Sequence, residues 1–246
     1  MSLKKHVGIT KDLSNLTAVI LSGGLGTRLR SVVSDRPKVL AEVSGRPFLA
    51  YLLDYLESAG VRTVVLCTGY LGEQIYQAFG DYYRDVHLIY SEEPSPLGTA
   101  GALRLALPWL DSNPVLVLNG DSFCQVDLKA FFTGHSTWGT DATLLLTQVT
   151  DTSRYGRVQV NEDGQITGFE EKGTINEPGW INAGIYLLHK KLIERIPANG
   201  FVSLERDVFP KWLSKKMYGY QGGRDFLDIG TEESYAAAEE HFAQRY

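Results

Sequence analysis

Thr17–Ser22 (TAVILS) and the loop that follows it, Gly23-Gly24-Leu25-Gly26-Thr27-Arg28-Leu29, decide how the chain folds. The first segment is short and almost continuously apolar, which is typical of a β-strand buried on both faces. The glycines of the loop allow a sharp turn and leave backbone N–H groups open to an anion. The sequence therefore predicts a buried first strand that ends in a phosphate-binding loop.

The loop differs from two common nucleotide-binding motifs. A dinucleotide fingerprint would need a glycine at position 29, which is Leu, and a P-loop would need Gly-Lys-Ser/Thr. Arg28 nevertheless offers a planar guanidinium that suits phosphate oxygens, and Lys38 adds an ammonium a few residues later. The alternatives are a plain glycine turn with a solvated Arg28 and a surface Lys38.

Strand-like and helix-like segments alternate up to about residue 140. Apolar runs predict further strands at Arg62–Thr68, Val86–Tyr90 and Pro114–Asn119. Helical spacing predicts helices at Pro47–Ala59, Gly72–Phe79, Thr99–Leu107 and Leu128–His135. Strands joined by helical crossovers predict an α/β fold, with a Rossmann-like, mostly parallel sheet covered by helices on both faces.

The pattern changes after residue 140. Short alternating segments at Thr143–Val149, Gly156–Val160 and Gln165–Glu171 predict antiparallel strands, with a hairpin turn at Asn161–Gly164. A strand is expected at Trp180–His189, and helices at Leu204–Lys215 and Glu232–Arg245. We therefore expect one α/β domain with a β-rich insertion.

Composition excludes several classes of protein. The net charge of −5 over 246 residues disfavours a nucleic-acid binder. The sequence contains no apolar run of about 18 residues that would span a membrane, and Met1–Leu16 shows no signal peptide. Cys67 and Cys124 lie in or beside apolar runs, so we expect buried, reduced thiols and a cytoplasmic protein.

Further motifs follow the glycine loop in a fixed order. They are Arg36-Pro37-Lys38, Glu93–Gly101 (EPSPLGTAG), Asn119-Gly120-Asp121, Phe169–Lys172 (FEEK), Asn182–Tyr186 (NAGIY) and Asp228–Thr231 (DIGT). Across residues 17–245 the chain thereby resembles the sugar-1-phosphate nucleotidyltransferases. The resemblance is greatest to the branch that transfers a guanylyl group to D-glycero-α-D-manno-heptose 1-phosphate for bacterial surface polysaccharides.

The resemblance implies a GT-A-like fold and a defined reaction. An oxygen of the sugar 1-phosphate attacks the α-phosphorus of a nucleoside triphosphate in line, and pyrophosphate leaves. The nucleophile is already an anion near neutral pH, so no general base or catalytic triad is needed. The step requires positioning and charge neutralisation instead. Residues 1–16 are then an N-terminal extension to a single domain at 17–246, in which 17–140 mainly bind the nucleotide and 141–230 mainly bind the sugar.

The resemblance also assigns residues to roles. The implied catalytic residues are Arg28, Lys38, Asp121, Lys172 and Asp228. The implied nucleotide contacts are Leu21, Gly23, Gly24, Gly26, Thr27, Arg28, Lys38, Glu93, Gly98, Thr99 and Asp121. The implied sugar-phosphate contacts are Gly156, Glu171, Lys172 and Asn182. Glu171 and Lys172 point to opposite faces of a regular strand, so we expect the strand to end or bend beside Gly173.

By the same resemblance Asp121 and Asp228 hold Mg²⁺, a hard cation that takes one or two carboxylates from protein. Asp121 follows the fourth predicted strand, where open α/β sheets bind ligands. On their own, such residues are more often turn formers. Asp225 is a weaker candidate.

Glu93 is our candidate for base selection. A carboxylate can accept hydrogen bonds from N1–H and N2–H₂ of guanine at once, whereas similar thymidylyltransferases tend to carry Gln at this place. Glu92 is the alternative reader. We therefore expect GTP as the nucleotide.

Other functions stay open from sequence. The enzyme alternatives are a mannose-1-phosphate guanylyltransferase and a glucose-1-phosphate thymidylyl- or uridylyltransferase. A non-catalytic subunit that senses nucleotide sugars is the alternative of another class, although such a binder need not keep both metal carboxylates. Glycosyltransferases often carry Asp-x-Asp, which this sequence lacks. The resemblance implies homo-oligomers as a common assembly, and the apolar pattern locates no interface.

Overall fold

The computed structural model describes residues 12–24, 29, 33–170, 172–173 and 177–243. Its strands are β1 (Thr17–Leu21), β2 (Glu42–Val43), β3 (Arg46–Pro47), β4 (Thr63–Thr68), β5 (Tyr82–Tyr83), β6 (Val86–Glu92), β7 (Val115–Asn119), β8 (Ser122–Gln125), β9 (Ala142–Val149), β10 (Val158–Val160), β11 (Ile166–Phe169), β12 (Gly179–Leu188) and β13 (Met217–Asp228). Its α-helices are α1 (Phe48–Ala59), α2 (Gly72–Phe79), α3 (Gly98–Leu105), α4 (Leu128–Trp138), α5 (Lys190–Glu194), α6 (Phe209–Trp212) and α7 (Glu232–Ala243). Short 3-10 turns lie at Lys38–Leu40 and Leu107–Trp109, and a π-helical turn at Leu204–Val208.

The central sheet has nine strands in the order β5-β6-β4-β1-β7-β12-β9-β13-β8. Strands β6, β4, β1 and β7 are parallel neighbours. Strand β12 is antiparallel to both β7 and β9, so β9 runs in the same direction as β7, and β13 is parallel to β9. Most strands of the sheet therefore share one direction, and the predicted mostly parallel α/β sheet is confirmed.

Alternate side chains of the central strands enter two hydrophobic cores, one on each face. One core receives Ile20, Leu66 and Leu118, and the other receives Val19, Val65 and Val117. The first core includes Phe48 of α1 and Phe242 of α7, whereas the second includes Leu103 of α3 and Phe209 of α6. Because each strand buries both faces, its sequence is a continuous apolar run.

The second half of the chain differs from the predicted antiparallel group. Only β10 and β11 of that group pair with each other, in a separate two-stranded sheet. Strand β9 is instead buried from Ala142 to Thr147 and lies in the central sheet between β12 and β13. Its neighbour β13 (MYGYQGGRDFLD) was missed, because its glycines interrupt the apolar alternation. The helix expected at Leu204–Lys215 is a π-helical turn followed by the short helix α6.

Other expectations concern the cysteines and the membrane. Cys67 and Cys124 are free and buried, as predicted. Burial raises the pKa of Cys67 far above its ordinary value and that of Cys124 to about 12, so both are inert thiols. Across the described ranges, no helix combines the length and apolarity needed to cross a membrane. Leu13 and Leu16 are buried in the first core, so packing begins before Thr17.

Candidate active site

The candidate site lies where the parallel strands end. The segments that follow β1, β4, β6 and β7 begin at Ser22, Gly69, Glu93 and Gly120. The carboxyl ends of parallel strands meet at one edge of a sheet, where open α/β folds bind their ligands. The polar residues predicted from separate motifs are therefore gathered along one edge.

Glu93 is packed against glycine backbone at this edge. A Cβ added at Gly23 would lie 2.6 Å from Glu93 Oε1, and one added at Gly69 would lie 2.7 Å from it. Glu93 Oε2 accepts a hydrogen bond of 3.0 Å from the Leu97 N–H. Burial raises the pKa of the Glu93 carboxyl above its ordinary value, although this hydrogen bond opposes the shift. The structure thus places the candidate base reader beside the candidate loop residue Gly23.

The start of α3 is held by the segment that precedes the π-helical turn. Gly98 has a φ of +74°, and a Cβ there would lie 2.6 Å from the carbonyl oxygen of Val202. That carbonyl accepts hydrogen bonds from the N–H groups of Ala100 and Gly101. Thr99 donates a hydrogen bond of 3.0 Å to Glu205. The predicted nucleotide contacts Gly98 and Thr99 are therefore fixed by residues of the second half of the chain.

Lys38 and Asp121 form an ion pair at the end of β7. The distance between Lys38 Nζ and Asp121 Oδ2 is 2.8 Å, and the side chains are 12% and 45% exposed, respectively. The backbone holds this corner closely, because Gly120 N–H donates to Leu21 O at 2.9 Å. The sheltered ammonium and the more open carboxylate face the same edge as Glu93.

Asp228 lies beside Asp121. It pairs with Ser122 in the β13–β8 ladder, and the N–H of Ile229 donates to the carbonyl oxygen of Asp121 at 2.9 Å. A Cβ added at Gly230 would lie 2.7 Å from Asp228 Oδ1 and 3.6 Å from Lys38 Nζ. The structure therefore brings together Lys38 and the two carboxylates that the sequence predicts as metal ligands.

Three donors hold the Asp228 carboxylate. Its Oδ1 accepts from Gly230 N–H at 2.8 Å and from Ser234 Oγ at 2.9 Å, and its Oδ2 accepts from the Tyr155 hydroxyl at 2.9 Å. Burial alone would raise the pKa of Asp228, but these hydrogen bonds outweigh it and lower the pKa below its ordinary value. The carboxylate is thus fixed in place as an anion.

The donor set at this corner suits a hard cation. Asp121 and Asp228 offer carboxylate oxygens, and the described ranges contain no group of three or more His, Cys, Asp or Glu that could hold a metal. Mg²⁺ is commonly held by one or two carboxylates together with phosphate oxygens and water, whereas structural zinc takes four protein ligands. The residues present therefore fit Mg²⁺ that is bound along with a phosphorylated ligand.

The β10–β11 hairpin reaches this corner through Tyr155. Gly156, the next residue, has a φ of +76°, and a Cβ there would lie 2.6 Å from the Glu170 carbonyl oxygen and 3.7 Å from the Lys172 backbone nitrogen. Strand β11 ends at Phe169, so Lys172 and Gly173 lie in a turn, as the expected end of the strand requires. Gly156 therefore lies beside the backbone of the exposed Lys172, and Tyr155, the residue before Gly156, contacts Asp228.

Asn182 of β12 reaches the site from the side of β7. Its Nδ2 donates to the Tyr186 hydroxyl at 2.9 Å, and its Oδ1 accepts from the Gly184 N–H at 2.9 Å. A Cβ added at Gly184 would lie 2.6 Å from Ser122 Oγ, one residue from Asp121. Asn182 is therefore close to the carboxylate corner, in the group of predicted sugar-side residues.

Some predicted site residues lie outside the described residues. They are Gly26, Thr27, Arg28 and Glu171. Two others lie at the end of β1 and just after it. The carbonyl oxygen of Leu21 accepts from Gly120 N–H, and no described residue lies within 4 Å of a Cβ placed at Gly24. Sequence reasoning did not give roles to Gly69, Tyr155, Ser234, Tyr186 and Glu205. Two signals in the sequence point to some of these residues. Tyr186 belongs to the NAGIY motif, and Thr231 and Ser234, three residues apart, have the spacing of a helix cap at the start of α7.

An α/β sheet with polar groups gathered at its carboxyl edge is the architecture of nucleotide-binding α/β proteins. A model of the family described as "Nucleotidyl transferase" matches residues 17–245. The chain belongs to this family. The expected identification as a sugar-1-phosphate nucleotidyltransferase is supported by the relatives that follow.

Three comparisons define where the chain lies in the family. It is 40% identical over 225 residues to D-glycero-alpha-D-manno-heptose 1-phosphate guanylyltransferase of Aneurinibacillus thermoaerophilus, covering 91% of this chain and 97% of the relative. It is 36% identical to mannose-1-phosphate guanylyltransferase of Mycobacterium tuberculosis, covering 89% and 62%. The crystal structure of HddC from Yersinia pseudotuberculosis complexed with GMP-PN matches with a TM-score of 0.82 and 35% identity, covering 92% and 99%. The expected family, enzyme class and GT-A-like fold are thus confirmed.

The contact between Glu93 and Gly69 generates a test of packing. We expect Gly69→Ala to lower the free energy of unfolding by about 1–3 kcal/mol, since the new methyl group would overlap the Glu93 carboxylate. In a Glu93→Ala background the same substitution should cost less, because the overlap with the carboxylate is gone and only the contact with the Gly23 carbonyl oxygen, at 3.0 Å, remains. Urea unfolding of the four proteins measures both effects. Gly24→Ala is the matched control, since a Cβ there meets no described residue within 4 Å, and equal losses at positions 24 and 69 would contradict the packing described.

Proposed function

We propose that the chain transfers a guanylyl group from GTP to D-glycero-α-D-manno-heptose 1-phosphate and releases pyrophosphate. The observation that carries this proposal is the meeting of Lys38, Asp121 and Asp228 at the carboxyl edge of the sheet, in a chain 40% identical to a heptose 1-phosphate guanylyltransferase. The product would be a GDP-heptose, which suits the synthesis of surface polysaccharides.

The chemistry needs no proton transfer. A sugar-phosphate oxygen forms a bond to the α-phosphorus, and the bond from that phosphorus to the bridging oxygen of the β-phosphate breaks. The pyrophosphate takes the electron pair. Since both reactants are anions, the enzyme must hold them in line and offset their charge. We assign this role to Lys38, to Lys172 and to Arg28 with the glycine loop.

We assign Asp121 and Asp228 to Mg²⁺. When bound, Mg²⁺ would neutralise phosphate charge at the reacting centre. The three hydrogen bonds to Asp228 fix its carboxylate before any ligand arrives, and the Asp121 side chain is partly exposed and open to a ligand. The Lys38 ammonium, 2.8 Å from Asp121, supports the same assignment, because it can turn from this carboxylate to a phosphate oxygen.

The sugar phosphate is assigned to the other side of the carboxylate corner. Lys172 would pair with its phosphate, Glu171 and Asn182 would bond its hydroxyls, and the backbone at Gly156 would allow close approach. In support, Gly156 lies beside the Lys172 backbone, and the adjacent Tyr155 bonds to Asp228. Residues 141–230 would thus mainly serve the sugar, residues 17–140 the nucleotide, and residues 1–16 would be an extension.

Glu93 is assigned to guanine. Its Oε2 is held by the Leu97 N–H, while its Oε1 faces the glycines at positions 23 and 69. Guanine would present N1–H and N2–H₂ to this carboxylate, and backbone at Leu21, Gly23 and Gly98 would complete the pocket. Glu92 is exposed and supports this role less well.

Other parts of the proposal concern partners and location. Buried, free cysteines are consistent with a reducing compartment, so we propose a cytoplasmic enzyme. We also propose a homo-oligomer, as is common in the family. Mannose 1-phosphate is the second candidate substrate, since a mannose-1-phosphate guanylyltransferase is 36% identical.

The first prediction of this proposal concerns substrates. With Mg²⁺, pyrophosphate release should be at least about tenfold faster, as kcat/KM, with GTP and the heptose 1-phosphate than with any other pair. The panel crosses GTP, ATP, CTP, UTP and dTTP with heptose, mannose and glucose 1-phosphates. A preference for mannose 1-phosphate would overturn the heptose assignment. Binding of nucleotide without turnover of any pair would make the chain a sensor instead.

The second prediction concerns base selection. Glu93→Gln should lower the ratio of kcat/KM for GTP to that for dTTP about tenfold or more, because an amide cannot accept from both guanine donors. Glu92→Gln is the matched control and should keep the ratio, since Glu92 is exposed. An unchanged ratio in Glu93→Gln, or an equal fall in both variants, would remove Glu93 from base recognition.

The third prediction concerns the carboxylates. Asp121→Asn should lower kcat about 100-fold or more and weaken the Mg²⁺ dependence of GTP binding measured by calorimetry. Asp225→Asn is the control, because Asp225 lies on the same strand as Asp228 in a left-handed conformation, with a φ of +50°, that Asn also tolerates. Turnover and Mg²⁺ dependence like those of the wild type in Asp121→Asn would exclude it as a ligand.

A further inference from the structure

Glu205 accepts hydrogen bonds from three hydroxyl groups of other segments. It is half-buried in the π-helical turn Leu204–Val208, a conformation that often occurs at functional sites. Its Oε2 accepts from Thr99 Oγ1 at 3.0 Å and from Ser203 Oγ at 2.9 Å, and its Oε1 accepts from the Tyr186 hydroxyl at 3.3 Å. Glu205 therefore touches α3 on one side and β12 on the other.

The direction of each of these hydrogen bonds is fixed by the partners of the hydroxyls. A hydroxyl has one hydrogen to donate, and each of the three already accepts from a nitrogen. These donors are Leu204 N–H to Thr99 Oγ1 (2.8 Å), Arg206 N–H to Ser203 Oγ (3.3 Å) and Asn182 Nδ2 to the Tyr186 hydroxyl (2.9 Å). Both terminal atoms of the side chain at position 205 must therefore accept hydrogen bonds. The two oxygens of a carboxylate do so, whereas an amide has one oxygen and one NH₂ group, which donates.

Tyr186 passes this constraint on to Asn182. Burial and the negative charge of Glu205 raise the pKa of Tyr186 well above its ordinary value, so the hydroxyl keeps its hydrogen and donates it to Glu205. The hydroxyl then accepts from Asn182 Nδ2 at 2.9 Å and from the more distant Asn119 Nδ2 at 3.4 Å. The other end of the amide, Oδ1, accepts from Gly184 N–H at 2.9 Å. The amide of Asn182 is thus held in one orientation, and among the described residues its second N–H and second lone pair have no partner and can bind a ligand.

We propose that Glu205 is a positioning residue for the sugar phosphate, which acts through Tyr186 on the orientation of Asn182. Glu205 is itself held by a hydrogen bond from Thr99, a residue assigned to the nucleotide pocket. The orientation of the Asn182 amide therefore depends on a residue of the nucleotide pocket. The inference rests on the proposed sugar-phosphate role of Asn182. It adds Glu205 and Tyr186, which no motif role covers, to the residues that determine the affinity for the sugar.

Glu205→Gln tests the inference with an almost isosteric change. The amide oxygen can keep the two bonds from Thr99 and Ser203, and the NH₂ group then faces Tyr186. The Tyr186 hydroxyl must then turn its hydrogen toward the side-chain amides that donate to it, those of Asn182 and Asn119, which disturbs the amide of Asn182. We expect the KM for the sugar phosphate to rise about fivefold or more, with the KM for the nucleotide changed less than about twofold. The expected midpoint of thermal unfolding stays within a few degrees of the wild-type value.

Asp207→Asn is the matched control. Asp207 lies in the same π-helical turn, and its carboxylate accepts from the Ser203 N–H at 2.7 Å, so its substitution disturbs the turn without touching Tyr186. Both KM values of this variant should stay within about twofold of wild type. A rise in the KM for the sugar phosphate as large as that of Glu205→Gln would show a general structural effect and overturn the proposal.

Tyr186→Phe provides an independent test, because it removes only the hydroxyl that links Glu205 to Asn182. It should reproduce the selective rise in the KM for the sugar phosphate, and Glu205→Gln combined with Tyr186→Phe should add little to either single change. An unchanged KM for the sugar phosphate in Tyr186→Phe, or additive effects in the double variant, would overturn the proposed route. All assays use whichever substrate pair the wild-type protein turns over best. A wrong heptose or GTP assignment therefore shows in the wild-type panel, whereas a wrong role for Glu205 shows in the variants.

Discussion

The parallel pairing of β1 with both β4 and β7 is the constraint on which the site depends. Leu21, the last residue of β1, lies opposite Cys67 on one side and Asn119 on the other. The three strands thus end at one level, and the loops that follow them must meet. Buried, continuously apolar strands fix this register, because each side chain is enclosed on both faces. The polar corner is therefore positioned by hydrophobic packing that contains none of the polar residues themselves.

The second half of the chain supplies the second carboxylate of this edge, Asp228. Strand β13 leaves β9, crosses to β8 and ends with Asp228 opposite Ser122, next to Asp121. Lys38 pairs with Asp121 at 2.8 Å, so positive charge lies beside the carboxylate at the end of β7. The hydrogen bonds from Gly230, Tyr155 and Ser234 lower the pKa of Asp228 below its ordinary value. The corner therefore holds Asp228 as an anion, the form in which a carboxylate binds a divalent cation.

The parts of the fold that sequence predicts well are those in which local pattern and packing agree. Helix α2 begins and ends where its apolar spacing and flanking glycines indicate, and the buried strands match their apolar runs. Strand β13 is not predicted from the sequence, because glycines replace apolar side chains where neighbouring side chains need the space. A Cβ at Gly219, for example, would lie 2.4 Å from Leu146. The Glu205 contacts are equally invisible, since hydroxyls distant in sequence make them. The motif residues outside the described ranges, Arg28 among them, stay predictions.

Glu93 and Glu205 differ in how many donors the protein offers to their carboxylates. This number distinguishes a carboxylate that binds a ligand from one that positions other residues. Glu205 accepts three hydroxyl bonds, so its acceptor capacity is largely used within the protein. Glu93 has one N–H partner within the described residues, from Leu97, and burial raises its pKa, so these residues supply few donors to its ionised form. Ligand N–H groups that reach Glu93 would stabilise this form and lower its pKa. A carboxylate with few donors in the protein favours ligands that bring two donors. A nucleobase with an N–H and an NH₂ on one edge brings both, whereas a nucleobase with a single imide N–H brings only one.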